Sequence, residues 1–166
     1  MGGTAGEIVV RAARPADYDA IAAVADGWWG RPIVGVIPRL FLDHFHTTSL
    51  VAEQDGELAG FLVGFLSPSQ PGEAYIHFVG VAPRLRRTGL AGDLYGRFFA
   101  LAEGRGRTVV SAVTSPVNTG SIAFHRRLGF AVTGPVQDYN GPGHDLVTFR
   151  RDLRPAPPPP RTRECP

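Results

Sequence analysis

Two spacings of apolar residues alternate along this chain. Short alternating or β-branched runs mark strands, and recurrence at three- and four-residue steps marks helices. Glu7–Arg14 reads as a first strand. Pro15 then opens a helix with Tyr18, Ile21, Ala22 and Ala25 on one face, and proline suits a first helical turn. Gly27–Val36 reads as a loop, and Pro38–Phe45 as a second helix with Leu40, Phe41 and Phe45 inward. Ser49–Gln54 and Glu57–Leu66 form a hairpin across Asp55-Gly56, a type I′ signal. After a loop at Ser67–Gly72 comes a strand, Tyr75–Val81. A helix follows with Leu90, Ala91, Leu94, Phe98, Leu101 and Ala102 at helical spacing. A strand at Arg107–Thr114, a short helix from Asn118, and strands near Phe130–Thr133 and His144–Asp152 complete the series, with a turn-rich loop at Asp138–Gly143. The order β-α-α-β-β-β-α-β-α-β-β predicts an α/β (α+β) domain over residues 7–153: a mixed sheet with helices on its faces. Residues 1–6 and the Pro-rich tail, 154–166, are expected to be disordered.

Composition narrows the function classes. All 17 basic residues are arginine, with abundant Ala, Gly and Pro, so a single arginine is weak testimony. A net charge of +2 without a long basic block gives no support for nucleic-acid binding. The one cysteine, Cys165, lies in the tail, which argues against a disulfide framework, a catalytic thiol or a Cys-based zinc site, and no metal is expected. No apolar run approaches the length of a membrane span and no leader pattern opens the chain, so a cytoplasmic protein with no membrane partner is expected.

The densest chemistry lies in the turn Arg86-Arg87-Thr88-Gly89-Leu90-Ala91, between a buried strand and a helix. Backbone N–H groups at a helix start are unpaired and sit at the positive end of the helix dipole, which suits an anion. Gly89 lets a phosphate approach the backbone without meeting a Cβ. The turn lacks the Gly-Lys-Ser/Thr of a nucleotide P-loop and the three-glycine spacing of a dinucleotide fingerprint. A second segment, Asn118 to Phe130, follows the β-branched run Thr108–Thr114. Asn118 or Thr119 can cap its helix, and Gly129 suits its end.

Together, in this order, the two segments resemble the signatures of the GNAT N-acetyltransferases: Gln/Arg-x-x-Gly-x-Gly/Ala in the loop, then an Asn, a short helix, an aromatic pair and Gly-Phe. The resemblance is specific over Tyr75–Ala102 and Thr108–Phe130. It implies a largely antiparallel twisted sheet and transfer of an acetyl group from acetyl-CoA to the primary amine of a small molecule by direct attack. A protein or peptide N-acetyltransferase and a non-catalytic acyl-CoA sensor stay open as alternatives. Dimers are common in the family, so a homodimer is a further expectation.

By the same resemblance, Arg86, Arg87, Thr88, Gly89, Leu90 and Ala91 hold the pyrophosphate. The backbone of Val79, Gly80 and Val81 holds the pantetheine arm, with Gly80 as the bulge where the sheet opens. Asn118, Ser121 and Phe124 stand on the donor side. His77 is the candidate base, with Glu73 acting through water as the second choice. A plain half-buried strand histidine accounts for His77 equally well. The family commonly protonates the departing thiolate with a Tyr in the second motif. Here that position is His125, so His125 is the candidate acid, Tyr139 a weaker substitute, and unaided departure a third course. The acceptor pocket is expected from Trp28, Trp29, Arg31 and His44 on one side and Asp138, Tyr139, Asn140, His144 and Asp145 on the other, with Tyr75 beside His77. An aromatic wall with a few carboxylates would suit a small amine.

Overall fold

The computed structural model describes residues 6–153. Strand β1 (Ile8–Ala12) leads to helix α1 (Asp17–Trp29), a 3₁₀ turn at Val34–Val36 and helix α2 (Leu40–Phe45). Strands β2 (Leu50–Gln54), β3 (Glu57–Leu66) and β4 (Glu73–Val81) follow as an antiparallel meander. Helix α3 (Leu90–Gly104), strand β5 (Val109–Thr114), helix α4 (Thr119–Arg127) and strands β6 (Ala131–Val136) and β7 (Leu146–Asp152) complete the order. One sheet runs β1-β2-β3-β4-β5-β7-β6, antiparallel except for β4 against β5. The predicted element order and fold class therefore hold. The tail with Cys165 and residues 1–5 lie outside the described residues. Among those described, no helix is long and apolar enough to cross a membrane.

Each face of the sheet carries its own core. On one face Leu90, Leu94, Phe98 and Ala102 of α3 cover Leu62, Ile76, Val110 and Phe149. On the other, Ile21 and Ala25 of α1 and Leu42 of α2 cover Val51, Phe61 and Val63. Position 55 has φ 53° and Gly56 has φ 79°, the paired left-handed residues that a type I′ hairpin needs.

Three local expectations are corrected. Helix α1 does not stop at Gly27 but runs to Trp29, ending on Gly30 in the left-handed conformation at φ 67°. Trp28 and Trp29 thus belong to a rigid last turn instead of a loop, packed on Phe61. In α2 it is Leu42 that is fully buried, while Leu40 is half exposed, because α2 meets the sheet with one side of a six-residue helix. The break in the β3–β4 register falls between Val63 and Gly64, where Val63 pairs with Phe78 and Gly64 with Ile76. The bulged residue is therefore His77. Gly80 pairs regularly with Phe61. Its lack of a side chain serves close packing: a Cβ there would meet the Phe61 and Trp29 rings at 2.6 Å.

Candidate active site

Strands β4 and β5 pair in parallel only at Glu73–Val109, Ala74–Val110 and Tyr75–Ser111. Beyond Tyr75 they part, and Ile76–Val81 has no strand neighbour on that side. The gap opens a cleft of about 720 Å³ that runs into a groove of about 340 Å³ toward the start of α3.

The α3 end of the groove has the character of an anion site. Arg87 at φ 63° and Gly89 at φ 92° curl the chain into the helix. The Thr88 hydroxyl donates to the Leu85 carbonyl at 2.6 Å and braces the curl. The first bond of the helix runs from the Asp93 N–H to the Gly89 carbonyl. The N–H groups of Arg87, Gly89, Leu90, Ala91 and Gly92 have no backbone partner among the described residues. Arg87 and Arg127 stand beside them, the latter reaching in from α4. Arg86 lines the same groove, and its guanidinium donates to the Trp28 carbonyl at the end of α1. An anion cradle next to an unpaired strand edge fits a long donor with phosphates at one end and amides along its length.

Where groove and cleft meet, both are lined by Trp29, Val79, Tyr95, Asn118, Ser121 and His125. Asn118 caps α4, its Oδ1 accepting from the Ser121 N–H at 3.2 Å, while its Nδ2 donates to the Thr114 hydroxyl. His125 is buried and stacked on Phe149 at 3.8 Å. Its Nδ1 lies 2.8 Å from the Ser121 carbonyl, which can only accept, so Nδ1 carries the proton. Nε2 is then an acceptor, and the Tyr95 hydroxyl donates to it at 3.0 Å. Burial holds the His125 imidazolium form below the ordinary histidine range, with the Ser121 carbonyl pulling weakly the other way. Burial pushes the Tyr95 phenol up. Both groups are therefore neutral near pH 7.

The cleft beyond the junction is lined by Arg31, Val36, His77, Phe78, Val117 and Asn140, among others. His77 stacks on Phe41 at 4.1 Å, and its Nε2 lies 2.6 Å from the Val36 carbonyl. Nε2 is thereby the protonated nitrogen, leaving Nδ1 as the basic one. Arg31 is exposed and forms no ion pair among the described residues. Among the described residues, no aspartate or glutamate lines this cleft. The carboxylates expected there hold their own loop instead: Asp138 accepts from the Gly143 N–H at 2.7 Å and Asp145 from the Asp138 N–H at 2.9 Å.

The structure thus gathers most of the predicted site and scatters the rest. His77, Val79, Val81, Arg86, Ala91, Asn118, Ser121, Phe124 and His125 line the groove or cleft, with Trp29, Arg31 and Asn140. Trp28 faces a separate surface hollow beside Pro83 and Arg84. Glu73 and Tyr75 sit on the closed part of the β4–β5 pairing, outside the cleft lining. Tyr75 stacks on Phe65, and burial, with the Tyr139 phenol and Glu73 adding, pushes its own phenol up to about 12. Tyr139 is half exposed and lines neither groove nor cleft. Tyr95 is the junction residue that sequence reasoning missed. Its signal was a polar-tipped aromatic set into the stripe of Leu94, Phe98 and Ala102.

Comparison with known proteins agrees with this geometry. The family model described as the Acetyltransferase (GNAT) family matches residues 17–130. Among curated proteins, an L-2,4-diaminobutyric acid acetyltransferase of Nocardia farcinica is 33% identical over 98 residues, 57% of this chain and 51% of that protein. The protein of the same name from Vibrio parahaemolyticus is 32% identical over 106 residues, 64% and 54% of the two chains. The chain spans about half the length of the curated relatives it matches. Among solved structures, Ard1 from Thermoplasma volcanium superposes with TM-score 0.75 at 21% identity, covering 89% of this chain and 99% of that one. A diaminobutyrate acetyltransferase of Paenibacillus lautus, solved with L-2,4-diaminobutyric acid and coenzyme A, gives TM-score 0.71 at 22% identity, covering 89% and 96%. These superpositions establish the shared fold, and with the family model matching more than half of its length, the chain belongs to the GNAT acetyltransferase family.

Proposed function

We propose that this protein transfers the acetyl group of acetyl-CoA to the primary amine of a small acceptor that also bears a carboxylate, a diaminobutyrate-like amino acid. The observation that carries the reading is the continuous cleft, with an anion cradle at one end and a lone guanidinium, Arg31, at the other. The names of the curated relatives support the same acceptor class. A cleft without carboxylates does not suit a polycationic acceptor.

The free N–H groups from Gly89 to Gly92, with Arg87 and Arg127, take the pyrophosphate. The open edge of β4 takes the pantetheine amides, and a backbone N–H on that edge meets the oxyanion as the amine adds to the thioester carbonyl. His77, locked by Phe41 and the Val36 carbonyl, offers Nδ1 as the base that readies the ammonium for attack. Arg31 pairs with the acceptor carboxylate. The reading includes the cytoplasmic location and homodimer expected from the sequence; sedimentation velocity decides the second.

The test is thiol release from acetyl-CoA with a panel of amines. Diaminobutyrate and related diamino acids should release thiol, and decarboxylated diamines should do so poorly. Arg31→Ala should raise the acceptor KM about 10-fold or more, the worth of one charge-assisted bond, and leave the acetyl-CoA KM unchanged. Acetyl-CoA binding with no release by any amine or peptide would replace this reading with the sensor one.

A further inference from the structure

The second-motif position where the family commonly carries a Tyr holds His125, and this histidine has no proton to spare. Nδ1–H is committed to the Ser121 carbonyl and Nε2 is an acceptor. The hydroxyl that faces Nε2 comes from another helix, at Tyr95 of α3. We propose that Tyr95 passes the proton to the departing sulfur, with His125 as the positioning residue that holds its hydroxyl at the junction of groove and cleft. The proposal rests on the acetyl-transfer reading above and names a catalytic group for it.

Three observations carry the assignment. Tyr95 lines both the donor groove and the acceptor cleft, and the thioester has to lie where these meet. Asn118 caps α4 and donates to Thr114, and its amide, like the Ser121 alcohol, is a far weaker acid than a phenol. The Tyr95 ring is fixed edge-on by Phe99, Phe124 and Phe130, so its hydroxyl has one location and can only rotate. Tyr139, the other phenol considered, lines neither the groove nor the cleft.

The step balances without a net change in Tyr95. After the amine nitrogen adds to the carbonyl carbon, that nitrogen carries one proton too many. The C–S bond breaks and its electron pair leaves on sulfur. The Tyr95 O–H bond breaks as an S–H bond forms, and the Tyr95 oxygen takes the surplus proton from nitrogen, directly or through one water. An anionic sulfur competes well against a neutral imidazole for the same O–H, since bonds to ionised acceptors are stronger. Burial disfavours a lasting tyrosinate, which matches a group that relays a proton and never stores a charge.

The test uses acetyl-CoA and an amine that the unaltered chain acetylates. Tyr95→Phe keeps the ring packing and should lower kcat about 100-fold, the usual scale for a lost general acid, with acetyl-CoA affinity unchanged. His125→Gln keeps an acceptor for the hydroxyl and should lower kcat less than about 10-fold, below the range for a lost general acid. Tyr95→Phe with near-normal kcat overturns the proposal. So does His125→Gln that binds acetyl-CoA yet is as slow as Tyr95→Phe, because His125 would then be the donor. Should either variant fail to fold, Tyr95→3-fluorotyrosine decides: a more acidic phenol in the same place should change kcat, and an unchanged kcat overturns the proposal. Turnover by the unaltered chain separates this failure from that of the acetyl-transfer reading; with no turnover at all, both fall.

Discussion

His77 and His125 line one cleft, and each stacks on a phenylalanine: His77 on Phe41 at 4.1 Å and His125 on Phe149 at 3.8 Å. Their surroundings then diverge. His77 sits on a bulge of β4, half-buried, with one nitrogen tied to a carbonyl and one left over. His125 sits inside the α3–α4 side of the core with both nitrogens engaged. The same side chain is thus available for proton exchange on one wall and is a fixed strut on the other. What separates them is the count of free lone pairs and the depth of burial, neither of which residue type reveals.

The largest effect that would break this contrast is at His77. His77→Gln keeps a donor for the Val36 carbonyl but removes the basic nitrogen, so kcat/KM should fall about 100-fold or more in a thiol-release assay. A loss under threefold would reduce His77 to a wall residue. His125→Ala should act on stability instead. It removes a buried ring and strands the Tyr95 hydroxyl, at about 3 kcal/mol in a denaturant titration. The pH dependence sharpens the point. Because burial lowers the His125 pKa, its folded form binds fewer protons than the unfolded chain at mildly acid pH. Its contribution to stability is complete above about pH 6.5 and is lost as pH falls below that value toward the folded pKa. His125→Phe should flatten Tm across this window. The acid loss that remains should set in lower, where the carboxylates of Asp17 and Glu53, both held down by Arg11, take up protons. The smallest effect tests the wall beside His77. Gly80→Ala drives a Cβ into Phe61 and Trp29 and should cost about 1–3 kcal/mol, with a change in tryptophan fluorescence as Trp29 yields.

The parts of the fold that were legible in the sequence rest on local chemistry. The Asp55-Gly56 hairpin, the cradle around Gly89 and the Asn118 cap each need particular residues at particular backbone angles, and the chain displays them in a row. What escaped depends on partners far apart in sequence. Tyr95 and His125 lie 30 residues apart, and only the packing of α4 against α3 makes them a pair. The bulge at His77 follows from the register with β3, which neither the family resemblance nor the glycine inside the strand, both pointing to Gly80, could reveal. The two tryptophans looked like loop residues because Gly27 precedes them, yet one glycine does not stop a helix whose last turn packs on Phe61. Asp138 and Asp145 were credited to the acceptor, but loop N–H groups had a prior claim on them.

The brief contact between β4 and β5 has a mechanical side. Among the described residues, only the pairing from Glu73 to Tyr75 ties the meander β1–β4 to the β5-β7-β6 half by strand hydrogen bonds. The sheet is therefore narrowly joined along the line where the cleft opens. Lengthening that ladder would stiffen the protein and close the cleft, and shortening it would widen the cleft and loosen the join. The width of the site and the strand pairing between the two halves are thus coupled, while the shared core under α3 supplies the rest of the join.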